Sequence, residues 1–194
     1  MSWIILGLNP GISEHIIYKQ VIFMNSAYIY LQLYKLFDNC TPVKADCGQL
    51  CSAACCKGTD CGMYLFPGEK KVYDLLEPDW IRIEKSDFKY TFKRRKKNIY
   101  IAFCNENCDR FQRPLACRIF PLTPILTDNG KLDIIIDPRS KSVCPLGKAF
   151  TLDDFDPQFV KNVRKTFTLL CKNKEFAKFM VEYSNYLRDF QKFI

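Results

Sequence analysis

The chain has 194 residues, a formal net charge of +8, and apolar side chains at 48% of its positions. That is long and apolar enough for one domain with a buried core, which argues against a disordered chain and against a miniature fold that needs disulfide staples. Its eleven cysteines are an odd number, so they cannot all pair within the chain.

Residues 1–12, MSWIILGLNPGI, lack the basic start of a signal peptide and are interrupted at Pro10 and Gly11. Residues 14–37 carry Ile, Leu and Tyr at helical spacing and predict a helix, whole or broken near Asn25–Ser26, whose aromatic stripe is core. Lys19, Gln20, Asn25, Ser26, Gln32 and Lys35 interrupt it too often for a membrane span. The expected location is therefore cytoplasmic, in a reducing environment, with no membrane partner. Met24-Asn25-Ser26 reads as a natural start with a helix-capping serine. Residues 1–23 are thus either an extension outside a core of residues 24–194 or an ordinary packed N-terminal helix.

A cysteine-rich stretch, CGQLCSAACC, occupies residues 47–56. PGEKKVYDLLEP (67–78) predicts a short helix with Pro67 near its start and Pro78 at its end. WIRIEKSDFKYTFKRRKKNIYIAFC (80–104) predicts two strands around a basic turn, and KLDIIID (131–137) another strand. KRRKK (93–97) reads as the solvated tip of that hairpin rather than a phosphate-binding patch. No aromatic-interleaved basic groove or helix-turn-helix pattern supports nucleic acid as a partner. Beyond Asp153, DPQFVKNVRKTFTLL and KEFAKFMVEYSNYLRDFQKF repeat apolar residues every three or four positions and predict two helices. No internal repeat or linker marks a second domain. The prediction is an α+β fold: a small single domain with helices at both ends and a short-stranded, cysteine-rich metal-binding middle.

Clustered cysteines serve as disulfides, catalytic thiols or metal ligands, and a reducing compartment disfavours the first. Cys47, Cys51 and Cys55 recur every four residues, so a helix there would place three sulfurs on one face. Cys104 and Cys108 repeat the interval, and Cys117 and Cys144 complete a set from a distance. The single histidine, His15, lies far from all of them, which disfavours Cys-His catalysis and histidine-rich zinc sites. A metal here would be held by sulfur, as in structural zinc or an iron–sulfur cluster. The Cys-x3-Cys-x2-Cys spacing of radical enzymes is missed, because Ala54 and Phe111 stand in the third slot.

CGQLCSAACC, FPGE (66–69), RPLACRIFPL (113–122) and CPL (144–146) together resemble the YkgJ-like cysteine-cluster family. That resemblance runs from about Met24 to about Leu146. It implies a zinc- or iron-chelating domain with a Cys-x-x-Cys-x-x-Cys-Cys signature, although the first cysteines here are separated by three residues rather than two. The ligands it implies are Cys47, Cys51, Cys55, Cys56, Cys104, Cys108, Cys117 and Cys144, and the cofactor an iron–sulfur cluster or zinc. Flagellin lysine N-methylase looks like a relative of that family. The expected function is therefore a metal-binding cysteine-cluster protein with a redox, metal-handling or structural role, and a protein partner or protein substrate is compatible with it. The alternative is a metal-containing group-transfer enzyme resembling a protein lysine N-methylase, although no glycine-rich cofactor loop of the Rossmann type accompanies it.

Arg113 and Arg118 flank Cys117 and have two readings. They offset thiolate charge or grip a carboxylate substrate; otherwise they pair with Glu69 or Asp137 to hold the fold. Adjacent cysteines point apart on helix and strand alike, so Cys55 and Cys56 are expected to face different surroundings, either as members of two four-sulfur sites or with Cys56 packed beneath a single one. Cys171 is expected as a small buried apolar residue, and Cys40 and Cys61 as free thiols.

Overall fold

The computed structural model describes residues 26–57, 62–105 and 108–193. The expectations for residues 1–23, for the first part of the 14–37 helix, for His15 and for Cys61 lie outside those residues. Helix α1 (Ser26–Lys35), at the start of the described residues, buries Ala27, Tyr30, Leu33 and Tyr34. It packs on α3 (Lys70–Leu76) and on α4 (Leu115–Ile119). The predicted 67–78 helix is α3, which ends at the left-handed Glu77 just before Pro78.

Strands β2 (Ile81–Phe92) and β3 (Arg95–Cys104) form the predicted hairpin. Its two-residue turn is Lys93-Arg94, both with positive φ (48° and 62°), the twist that tight hairpins need. Lys93, Arg94, Arg95 and Lys96 are all exposed, so the basic cluster is a solvated tip. Strand β1 (Gly62–Leu65) adds antiparallel to the other side of β3, giving the order β1-β3-β2. The predicted 131–137 strand is β5 (Leu132–Ile136), paired with β4 (Leu122–Leu126) as a separate two-stranded sheet.

Two further short helices, α2 (Cys47–Leu50) and α5 (Pro145–Ala149), lie in the cysteine-bearing segments. The C-terminal helices are α6 (Pro157–Leu170) and α7 (Lys174–Gln191). Asp156 and Asn173 cap them, each accepting from two backbone N–H groups of the first turn. Helix α6 buries Phe159, Val163, Phe167 and Leu170, and α7 buries Phe176, Phe179, Met180, Tyr183 and Leu187, one stripe each. These stripes close over β2, β4 and β5. Phe66 sits where they meet, its ring centroid 5.0 Å from Phe167, 5.9 Å from Phe176 and 6.0 Å from Phe179. The mixed helix-and-sheet single domain agrees with the α+β expectation. Among the described residues, no helix is long and apolar enough to cross a membrane.

Candidate functional site

The first cysteine segment is not the continuous helix its spacing suggested. Asp46 caps α2 through Gly48 N–H (3.0 Å), and the helix stops after one turn. Ser52 and Ala53 then take positive φ (51° and 56°), a conformation that is costly for residues with a Cβ and ends any helical run. A 3₁₀ turn, Ala54–Cys56, follows. Cys47, Cys51 and Cys55 therefore do not share a helix face. They are instead gathered by a folded-back loop.

The other cysteines arrive on separate elements. Cys104 ends β3 opposite Ile81. Cys108 precedes a 3₁₀ turn, Arg110–Gln112, capped by Asp109, and Arg110 reaches Asp46 at 3.2 Å beside α2. Cys117 rides on α4 and Cys144 forms the N-cap of α5. Close packing fixes α5, because a Cβ at Gly147 would collide with Ser140.

The 47–56 loop and these four elements surround a cavity of about 290 Å³, and all eight cysteines named from the sequence line it: Cys47, Cys51, Cys55, Cys56, Cys104, Cys108, Cys117 and Cys144. Among the described residues, Arg113 and Arg139 are the charged residues in its wall, Trp80, Met63 and Phe120 are among the apolar ones, and no carboxylate takes part. Cys40 and Cys171 lie elsewhere, and all ten described cysteines are free thiols. Cys171 is half-buried rather than buried, and burial raises its thiol to about 11.

Cys55 and Cys56 contradict the expectation that neighbouring sulfurs turn apart. In the 3₁₀ turn their Sγ atoms lie 3.8 Å apart and share a hydrogen bond. That bond favours the Cys56 thiolate, with Arg113 adding to it, and lowers Cys56 to about 6 although burial opposes the charge. The same bond, then burial, holds Cys55 protonated. Burial also raises Cys47, Cys108 and Cys117, and the neighbouring acid Asp46 or neighbouring cysteines raise them further.

Arg113 and Arg118 divide the two roles proposed for them. Arg113 donates from Nε to Cys108 Sγ at 3.1 Å. Burial works against its charge, but the bond to Cys108 and the nearness of Cys56 and Cys117 outweigh that and keep it cationic. Arg118 faces away from the thiols. Its guanidinium donates to the carbonyls of Arg113 (2.8 Å), Phe111 (2.6 Å) and Tyr34 (3.1 Å) and to Asp38 (2.9 Å), above the Tyr34 ring. Its acidic partner is thus Asp38, and neither Glu69 nor Asp137 as expected. Asp137 binds Arg139 bidentately instead. Glu69 is fully buried and accepts from Tyr34 Oη (2.7 Å), Phe66 N (2.9 Å) and Leu115 N (2.6 Å).

Arg139 and Trp80 were missed as cavity residues. Trp80 was absorbed into a predicted strand, and Arg139 stands five residues before Cys144 with no spacing pattern to mark it. The described donor set suits a soft or borderline metal, since among the described residues it offers sulfur and no carboxylate oxygen. The Cys55–Cys56 separation also suits one: sulfurs at about 2.3 Å from a tetrahedral zinc lie roughly 3.8 Å from each other. Among the described residues, no three Cys, His, Asp or Glu side chains already meet around one point, so binding would draw further sulfurs inward. The chain matches no family model, no curated protein and no solved structure.

Proposed function

We propose that this cavity is a metal centre that holds zinc or an iron–sulfur cluster through cysteine thiolates, in a redox, metal-handling or structural role. The observation that carries the reading is convergence: eight thiols from five elements line one small cavity, to which no acidic side chain contributes among the described residues. Structural packing of small apolar residues would not call for sulfur at every one of those positions. Cys47, Cys51, Cys55, Cys56, Cys104, Cys108, Cys117 and Cys144 are the candidate ligands. Bound zinc would cross-link the elements that supply its four ligands, and a cluster would add one-electron chemistry.

The chain's own groups set the conditions for binding. Cys56 stands ready as a thiolate near neutral pH, whereas Cys47, Cys55, Cys108 and Cys117 must lose protons that their surroundings favour. Metal uptake therefore releases protons and strengthens as pH rises. Arg113 lies where the accumulated negative charge needs a counter-ion. Such thiolates fit a reducing compartment. The test is anaerobic purification followed by analysis of zinc, iron and acid-labile sulfide. Iron with sulfide identifies a cluster and zinc without sulfide a zinc site. A protein with neither metal, whose eight thiols all react at the rate of free cysteine while folded, overturns the proposal.

A further inference from the structure

The Cys55–Cys56 pair has a reactivity that metal binding does not use. Cys55 is the exposed member of the ten described cysteines, and Cys56 lies half-buried beside it with the sulfurs 3.8 Å apart. Both belong to one tight turn, so no distant segment has to move for them to join. Neighbouring Cα atoms are about 3.8 Å apart across a trans peptide, shorter than the roughly 4.4–6.8 Å that relaxed disulfides span. A bond between them is strained, and strained, exposed disulfides are the labile ones.

We propose that Cys55 and Cys56 form a redox-active dithiol that exchanges with low-molecular-weight disulfides of the glutathione class and closes reversibly to a vicinal disulfide. One sulfur of the pair, its proton passed to water, attacks one sulfur of the incoming disulfide. The incoming S–S bond breaks, one thiolate leaves, and a mixed disulfide forms. The other sulfur of the pair, deprotonated in turn, attacks the first, 3.8 Å away in the reduced protein, and expels the second thiolate. The two protons end on the two released thiols, and two electrons have passed from the cysteine pair to the small disulfide. Closure also withdraws two sulfurs from the candidate ligand set, a consequence that rests on the metal reading; the exchange itself does not.

The experiment uses the full chain, reduced, stripped of metal with a chelator, and then incubated with oxidised glutathione. Remaining thiols are alkylated with iodoacetamide, and the protein is measured by intact mass and by tandem mass spectrometry of the peptide containing residues 45–57. The expected result is loss of two alkylation sites, both assigned to Cys55 and Cys56, and their return on adding dithiothreitol. Cys55→Ser and Cys56→Ser should each prevent closure, leaving at most one glutathione adduct on the remaining sulfur of the pair, and Cys171→Ser should leave the wild-type result unchanged. Full alkylation of the wild type, stable glutathione adducts without closure, or a bond to any other cysteine overturns the proposal. Metal and sulfide content before stripping is a separate reading: a vicinal bond in a protein that never held metal upholds the exchange and refutes the metal centre, and the reverse pattern does the opposite.

Discussion

Replacing Glu69 by glutamine changes one atom, and its effect should depend on pH. The carboxylate joins three segments, accepting from Tyr34 of α1, from Phe66 N–H and from Leu115 N–H at the start of the helix that carries Cys117. In Glu69→Gln, an amide that keeps its oxygen toward Tyr34 and Leu115 points its NH₂ group at the Phe66 N–H. A buried donor then faces a donor, at a cost of about 1–3 kcal/mol. Burial also raises the Glu69 carboxyl from 4.5 to about 7, despite the opposing effect of its three donors and Arg118. The folded protein therefore keeps a proton that the unfolded chain has already released. Stability from this group is whole below pH 4.5 and is lost as pH rises to about 7, amounting to roughly 3 kcal/mol at ~1.4 kcal/mol per pH unit. Glutamine has no such proton. Urea unfolding of both proteins from pH 4.5 to 8 isolates the difference, because the other titrating groups cancel. The wild type's advantage should shrink across that range and vanish or reverse near neutrality. An advantage that stays constant or grows with pH would refute the reasoning.

Arg118→Lys should lower stability by at least about 2 kcal/mol, nearly as much as Arg118→Leu, because an ammonium cannot serve three carbonyls and Asp38 from one plane; thermal unfolding of the pair tests this. Arg113→Leu should keep the fold but weaken metal retention against a chelator, with Arg113→Lys in between; equal retention in all three removes its counter-ion role. Gly147→Ala should cost about 1–3 kcal/mol by overpacking against Ser140, read as a lower urea midpoint. Cys55→Ser and Cys56→Ser should each diminish the same bound metal, since their sulfurs are in contact; metal analysis showing two separable losses would restore a two-site arrangement.

The legible parts of this chain were those governed by local periodicity. Helices α6 and α7 and the β2–β3 hairpin follow from apolar spacing, caps and a charged turn, and they appear within a few residues of their expected limits. Strand β4 was hidden by Pro124, which a two-stranded sheet tolerates because one side of each strand has no backbone partner. Strand β1 is only four residues long and has no clear alternation. The candidate cysteines were legible by residue type, and all eight line one cavity. Their local geometry was not. A four-residue interval suggests a helix, but nothing in CSAACC announces that Ser52 and Ala53 adopt the left-handed conformation. The partners of Arg118 and Glu69 were hidden for a different reason: each is fixed by backbone groups that tertiary packing presents and that carry no sequence signature.

Those two buried side chains explain how a cavity lined by thiols can sit on an ordinary core. Free thiols give little cohesion to one another, so the segments bearing them must be held by something else. Glu69 ties the start of α4 to Phe66, whose ring lies in the aromatic core, and so sets the position of Cys117. Arg118, one residue on, holds the carbonyls of Phe111 and Arg113 and thereby the loop that presents Arg113 to Cys108. Asp137 and Arg139 do the same beside Cys144, through the 3₁₀ turn against which Gly147 packs. The segments that carry Cys108, Cys117 and Cys144 are thus each fastened by a hydrogen-bonded Glu, Arg or Asp side chain at the base. The loop of residues 51–56 is tied to α2 by backbone alone, Ala53 N–H donating to the Gly48 carbonyl at 2.7 Å, and it carries the exposed Cys55. Its Cys55 and Cys56 sulfurs already lie 3.8 Å apart, so a single bound ion or a bond between them asks little rearrangement of that turn.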